Sequence, residues 1–543
     1  MDKILMNGAV YTMDRENPTA EAVAIEGNVI KAVGSNEEIL RFKDESTEVV
    51  DMKGAMILPG FIDAHCHPAM TAYFMKAIQF NEEMSLDEVL DTLRKAVEAE
   101  PEKDSYVGAG YNEFIFDETP YSVDLLDEIC PDKPVILMGS GFHACWVNSK
   151  TFELAGITAE TPDPKPGYQY FERNEKGELT GHVVECEAEN MILRKVNFFD
   201  NGMLEDSYKQ MSDEFLKVGV TSLIGCGNFD WMGKEAYEVP CRLNHEGKIN
   251  QRFYDCAFMD TPERAEPALE ELKELSKIYD DDMFRVNTYK VILDGTFETR
   301  SASVSYEYID GYSPIPPLIE GETIRKLYEK VAGYGFDIHT HAIGDSAAAA
   351  SIAGAEAVRA AGFNDTRLTN AHTQFVKKED RKRFGELGII ANTSGGWHYW
   401  YPGIEETLGS VIANEEFMLK EIMDGGTIIT MGSDRPADEV GYDPRIAIVT
   451  AMTRRYAGML DDPEMLTLQP ESQKLSLQTC LEAYTVNAAY QVHMENKLGQ
   501  IKSGAYADIV AFEKDMFRLA PEEILQDDVV MTIFDGRIVY TRG

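Results

Sequence analysis

The chain has 543 residues, 44% of them apolar, and a formal net charge of −43. Such a composition supports an ordinary large core, and the length suits one large catalytic domain with an accessory unit, because a (β/α)8 barrel takes about 250 residues, and more with insertions. The acidity argues against nucleic acid and anionic membranes as partners, since both require concentrated Lys and Arg. Acidic residues are spread along helix-like segments such as Pro267 to Lys277, as on a solvated surface.

The opening Met1-Asp-Lys-Ile-Leu-Met-Asn-Gly8 has no signal-peptide apolar core, and no uncharged run approaches a membrane span, so the expected location is the cytoplasm. Eight cysteines without a CxxC pair read as reduced thiols. Residues 1–57 alternate short strands and turns: Ile4 to Met6, Ala22 to Ile25, then a turn at Glu26 to Asn28 and Val29 to Val33. A similar pattern returns after Leu498, in Gly499 to Ile501, Ala507 to Phe512 and Val529 to Tyr540 with a turn at Asp535-Gly536. The two ends, 1–57 and 499–543, are expected to pair into one β-sandwich beside a main domain spanning 58–498.

That main domain begins with Leu58-Pro-Gly-Phe-Ile-Asp-Ala-His-Cys-His67. On a strand, residues two apart face the same side, so His65 and His67 can aim at one cation while Cys66 packs on the other face. Residues 68 to about 204 are too long for a βα connection and are expected to form an insertion with its own structure. Seven further strand-like runs follow: Thr221 to Cys226, Arg252 to Phe258, Asn287 to Leu293, Asp337 to His341, Leu368 to Thr373, Ile389 to Thr393 and Thr427 to Ser433. Helix-like segments separate them, including the Ile324, Leu327, Tyr328, Val331 stripe and the Ala-rich stretch Asp345 to Ala361. Eight strands alternating with helices predict an α/β fold, a (β/α)8 barrel of the TIM type.

Active sites of such barrels form at the C-terminal strand ends, and the unusual residues fall there. Strand one ends in His65 and His67, strand four carries Lys290, strand five ends in His341, strand six in His372, and strand eight leads to Asp434. Each has an ordinary explanation alone, as a solvated histidine, a snorkelling lysine or a turn aspartate. Six metal-competent or activatable groups on five strand ends do not arise easily by chance.

With these motifs the chain resembles the metal-dependent amidohydrolase superfamily, and within it the YtcJ-like and N-substituted formamide deformylase-like hydrolases. The resemblance rests on Leu58 to His67, Lys290 followed by Asp294-Gly295, His341-Ala-Ile-Gly-Asp345, Ala371-His-Thr-Gln374, Gly432-Ser-Asp-Arg-Pro436 and Gly504 to Val510. It implies that His65, His67 and Asp434 hold one metal, that His341 and His372 hold a second, and that a carboxylated Lys290 bridges them. Two divalent ions are therefore expected, zinc first, with manganese, iron, cobalt and nickel also compatible with the donors. Between them they would share a hydroxide that attacks the carbon of a non-peptide, amide-type carbon–nitrogen bond, with Asp434 taking up and returning the proton. A one-metal deaminase, an ester or lactone hydrolase and a non-catalytic scaffold are the alternatives. Lys290 has no role in the first, and a scaffold should have lost ligand positions.

The segment after Lys290 carries Phe297-Glu298-Thr299 where the family has small residues, leaving Arg300 matched, and Asn370 stands where the family has an acidic residue. His143, Arg300, Trp397 and His398 are the candidate substrate contacts, with His182 and Glu185 weaker ones; an aromatic pocket wall is expected from Phe142, Trp146 and the Trp397 to Tyr401 loop. His245 and His493 read as surface residues. A small-molecule substrate is expected, and a homodimer is left open.

Overall fold

The structure, a computed structural model, describes all residues except 82, 117–118, 200, 310, 438–441 and 543. Its centre is an eight-stranded parallel sheet in sequential order, β1 (Phe61–Cys66), β2 (Val220–Gly225), β3 (Arg252–Met259), β4 (Phe284–Ile292), β5 (Asp337–Ala342), β6 (Leu368–His372), β7 (Ile389–Thr393) and β8 (Ile429–Met431). These are the eight runs expected from the apolar pattern. The ring is completed just past β8, where Asp434 N–H donates to the His65 carbonyl at 2.7 Å and His67 N–H donates to the Arg435 carbonyl at 2.8 Å. Strands such as β1, β2 and β3 are buried along their whole length, because one face looks into the barrel and the other lies under helices.

The outer helices follow the sequence periodicity. Gly321–Gly333 buries Ile324, Leu327, Tyr328 and Val331, and packs against the Ala-rich helix Asp345–Ala360, whose small side chains permit the approach. Between β1 and β2 a separate six-stranded sheet runs in the order Tyr170–Arg173, Leu179–Val184, Ala144–Val147, Val135–Gly139, Tyr106–Tyr111 and Ile78–Gln79. Its far side has a core of its own around Phe80, Tyr106, Tyr111 and Trp146.

The chain ends build two more sheets. Lys3–Met6, Ala22–Glu26, Val29–Gly34 and Glu48–Asp51 form one of four strands. The other interleaves Thr19–Ala20, Ala9–Tyr11 and Met56–Pro59 with Ile509–Phe512, Val529–Phe534 and Arg537–Thr541. Leu5, Val23, Ile25, Ile57, Ile509 and Ile533 from both sheets share one apolar cluster. The hairpin at Asp535-Gly536 has φ of 50° and 76°, the positive pair that a two-residue turn between twisted strands requires. Gly499 to Ile501 differs from expectation. It forms no strand; Ile501 N–H makes a bond of 2.8 Å to the Thr12 carbonyl, and its side chain enters the same cluster. All eight cysteines are free thiols, and among the described residues no helix is long and apolar enough to cross a membrane.

Candidate active site at the strand ends

Alternation along β1 turns His65 into the barrel, while Cys66 packs outward with its thiol 3.6 Å from the Ile224 carbonyl. The six groups singled out at the strand ends come together at one end of the barrel. His65 Nε2 and His67 Nε2 each lie 3.2 Å from Asp434 Oδ1, and Lys290 Nζ lies 3.4 Å from His65 Nε2. His372 Nε2 is 3.0 Å from His341 Nδ1, and His372 Nδ1 is 3.8 Å from Asp434 Oδ2. His65, His372 and Asp434 each offer one atom within 4.8 Å of the others.

These spacings fit a divalent cation better than a hydrogen-bonded core. Ligand atoms around a tetrahedral ion with bonds near 2.1 Å stand about 3.4 Å apart, as found here. Burial lowers the His65 imidazole to about 4, with Lys290 adding to the effect, and burial holds His341 and His372 well below the usual histidine range. The rings are thus in the neutral form that binds metal. His67 Nδ1, His341 Nε2 and His372 Nδ1 are buried without a hydrogen-bond partner. Burial works against the Asp434 charge, yet the imidazoles of His65, His372 and His67 keep its carboxyl well below the usual carboxylate range. Lys290 is 1% exposed, and among the described residues no carboxylate lies within ion-pair distance of its Nζ.

The backbone that carries these groups is held by second partners. Asp63 accepts from Ser433 N–H at 2.9 Å and from Ser433 Oγ at 2.6 Å, tying β1 to the segment after β8; burial raises its carboxyl to about 6. Gly432 passes so close to β1 that a Cβ there would sit 2.3 Å from His65 N. Asp294 accepts from the Ile343, Gly344 and Ser303 amides at 2.8–3.0 Å, fixing the turn after His341. His372 and Asp434 have φ of 66° and 58°, left-handed backbone that costs ~1–3 kcal/mol for each such side chain and clusters at functional sites.

A cavity opens over this cluster, lined by His67, Met70, Phe142, His143, Phe229, Phe258, Lys290, Ile292, His341 and Asp434. His143 comes from the insertion and its ring centroid stands 5.4 Å from that of His341. Burial opposes its charge, but the Glu185 carboxylate, 3.0 Å from Nδ1, raises the imidazole to about 9. Glu185 is fully buried and is held in turn by the Ser301 hydroxyl at 2.5 Å and Thr299 Oγ1 at 3.3 Å, so the unusual segment after Lys290 supports His143 from behind.

The other expected substrate contacts lie elsewhere. Arg300 lines a neighbouring cavity with Tyr170, Glu172, His182 and Tyr312. Trp397 lies flat against His372, with ring centroids 5.3 Å apart and planes 7° apart, so it backs that imidazole and is not among the residues lining the cavity. His398 is 1% exposed and turned into the core, its Nε2 2.7 Å from Thr393 Oγ1 and its ring beside Phe417. Trp146 packs inside the insertion with Phe116, and Tyr401 bonds Glu298 at 2.7 Å. Of the rings expected in the wall, Phe142 does line the cavity, where Phe229 and Phe258 join it. The last two follow β2 and sit on β3, where an apolar run gives no sign of which ring faces the cavity. His339 also escapes the motifs, although it is one strand repeat before His341 and faces the same way.

Residues 48–540 match the amidohydrolase family. The chain belongs to that family. It is a hydrolase acting on carbon–nitrogen bonds. It is 26% identical over its whole length to the putative amidohydrolase YtcJ of Bacillus subtilis, covering all of that protein. It is 25% identical to the N-substituted formamide deformylase of Arthrobacter pascens, with 100% of this chain and 98% of that one covered. An uncharacterised metal-dependent hydrolase from Pyrococcus horikoshii shares the fold, with a TM-score of 0.72 at 20% identity over 96% of this chain and 99% of that one.

Proposed function

We propose that this amidohydrolase cleaves an amide-type, non-peptide carbon–nitrogen bond of a small molecule. The observation that carries the proposal is the set of imidazoles and one carboxylate spaced 3.0–3.8 Å apart beneath a cavity, three of the rings with a buried nitrogen that has no hydrogen-bond partner. His65, His67 and Asp434 would hold one divalent ion and His341 and His372 a second, with Lys290 between them. The ions would supply Lewis acidity, lowering the pKa of water and polarising a carbonyl. Zinc suits the donors, as do other first-row ions.

Lys290 serves only after carboxylation, which replaces a buried and unpaired ammonium by an anionic oxygen donor. Asp434 is poised beside both histidine pairs to accept the proton of the attacking water and return it to the leaving nitrogen. His143, charged below about pH 9, can donate from Nε2 to the substrate carbonyl or to a carboxylate. Met70, Phe142, Phe229, Phe258 and Ile292 favour an apolar or aromatic substituent, and the net charge of −43 disfavours polyanions. The formamide named for the Arthrobacter pascens relative is of the same bond class.

Metal counting on anaerobically purified protein, screened against matched amides and esters, tests this. Two divalent ions per chain and hydrolysis of small N-acyl compounds are expected. Lys290→Ala should lose most activity and regain part of it with short carboxylates. Full activity with one ion per chain would instead establish a one-metal mechanism, and a preference for polyanionic substrates would overturn the pocket assignment.

A further inference from the structure

Beneath the expected ligands lies a second layer of buried polar groups that the proposed reaction does not use. On β5, His339 faces the barrel interior one repeat below His341 and is 2% exposed. Its Nε2 is 3.0 Å from His65 Nδ1, and the two rings meet nearly edge-on at 67°. Asn392 Oδ1 lies 3.2 Å from the same His65 nitrogen. The Asn392 amide is oriented by its own nitrogen, which donates to Thr430 Oγ1 at 3.1 Å and to the Ala64 carbonyl at 3.4 Å.

We infer that His339 is a positioning residue whose Nε2 accepts a hydrogen bond from His65 Nδ1–H and so commits the opposite nitrogen of His65, Nε2, to the cation. The inference rests on His65 being a metal ligand. Asn392 presents an oxygen to His65 Nδ1, so that nitrogen must carry the hydrogen. Two N–H groups cannot face each other at 3.0 Å, and His339 Nε2 is therefore bare. The hydrogen of His339 is then on Nδ1, whose neighbour at 3.4 Å, the Gln491 amide nitrogen, is itself a donor and gives a hydrogen to the Ala64 carbonyl at 3.1 Å. A contact that long does not set the tautomer, whereas the 3.0 Å contact does. Cys226 Sγ is 3.6 Å from His339 Nε2, but its thiol also reaches the Ile224 carbonyl at 3.5 Å, so it makes no exclusive claim on that nitrogen. With Nδ1 engaged twice, the His65 ring is fixed with Nε2 directed at Asp434 and Lys290, the orientation a ligand needs.

Chelator competition on the full-length protein, using zinc alone as the probe, tests the inference. His339→Gln places an amide oxygen near the lost nitrogen and should keep zinc affinity within about threefold of the parent. His339→Leu removes the acceptor and should lose about 10–100-fold, the usual scale for a partner of a metal-binding histidine. His339→Met serves the same purpose if the leucine variant is insoluble. Unchanged affinity in the leucine or methionine variant would overturn the proposal. So would equal losses in the glutamine and leucine variants together with equally lowered melting of the metal-free proteins, which would mark a purely structural role. Cadmium loading provides a further arm: a sulfur-to-metal absorption band abolished by Cys226→Ser would place the ion on His65, Cys226 and His339 and also overturn it. His65→Ala in parallel separates the two levels, because full zinc affinity there would sink the ligand assignment itself whatever His339 does.

Discussion

Burial and neighbouring groups compete at individual side chains, and which of them prevails differs between Asp434 and Glu416. Asp434 illustrates the consequence for chemistry: it touches both His65 and His67 at 3.2 Å through one oxygen, leaving the other to exchange protons. Asp434→Asn should lower kcat by about a hundredfold or more, the scale expected for loss of a general base, while metal content falls less. Steady-state kinetics with metal analysis checks this, and near-normal turnover would remove Asp434 from that role. Glu416 illustrates the consequence for stability. Burial raises its carboxyl to about 8, against the opposing effects of Gln374, whose amide lies 2.6 Å away, and Arg454. A folded-state value above the unfolded one means the native state holds the proton more tightly. The contribution is fully present below about pH 4.5 and is lost as pH rises through about 8. Thermal melting of Glu416→Gln should therefore fall less steeply than the parent between pH 5 and 8, and identical slopes would show that Glu416 is not titrating there.

At the scale of elements, the site depends on how β8 meets β1. Gly432 lets the chain after β8 run against the backbone of His65, and a Cβ at 2.3 Å from a backbone nitrogen cannot be absorbed by a rotamer change. Gly432→Ala should destabilise the protein by about 2 kcal/mol or more, within the range for overpacking, and should lower metal occupancy by displacing His65 and Asp434 together. Chemical denaturation and metal analysis on one sample would show both; a variant unchanged in each would mean that the closure tolerates displacement. The strands were legible because runs buried on both faces are continuously apolar, and the outer helices because their stripes repeat at helical spacing. Gly499 to Ile501 was not, since a single backbone bond to Thr12 carries no periodic signature.

For the whole molecule, the sheets from the two chain ends are joined to the barrel by charge as well as by apolar contact. Arg252 at the start of β3 is 1% exposed and reaches Asp508 at 2.7 Å and Asp535 at 3.0 Å, both on the C-terminal segment, with its guanidinium 4.1 Å from the Tyr506 ring. Arg252→Ala strands a buried carboxylate and should cost about 3–5 kcal/mol in denaturant unfolding. Adding Asp508→Asn should recover part of that loss, whereas simple additivity of the two would show that the pair is not coupled.

The sequence by itself determined the α/β barrel, its strand order and the six groups at its strand ends, because hydrophobic period and the spacing of His65 and His67 are local properties of the chain. The tertiary structure alone decided what surrounds them. Trp397 and His398 share a loop after β7, yet one stacks on His372 and the other turns into the core. Trp146 and His143 are three residues apart on the insertion, and only His143 reaches the cavity. His339 and Asn392 acquire their partners from strands distant in the sequence, and no motif marks them; Glu185, singled out as a weaker substrate contact, instead holds His143. Which face a residue presents follows from the strand period, but whether that face meets a ligand, a carboxylate or a packed ring is set by long-range contacts that a local pattern does not contain.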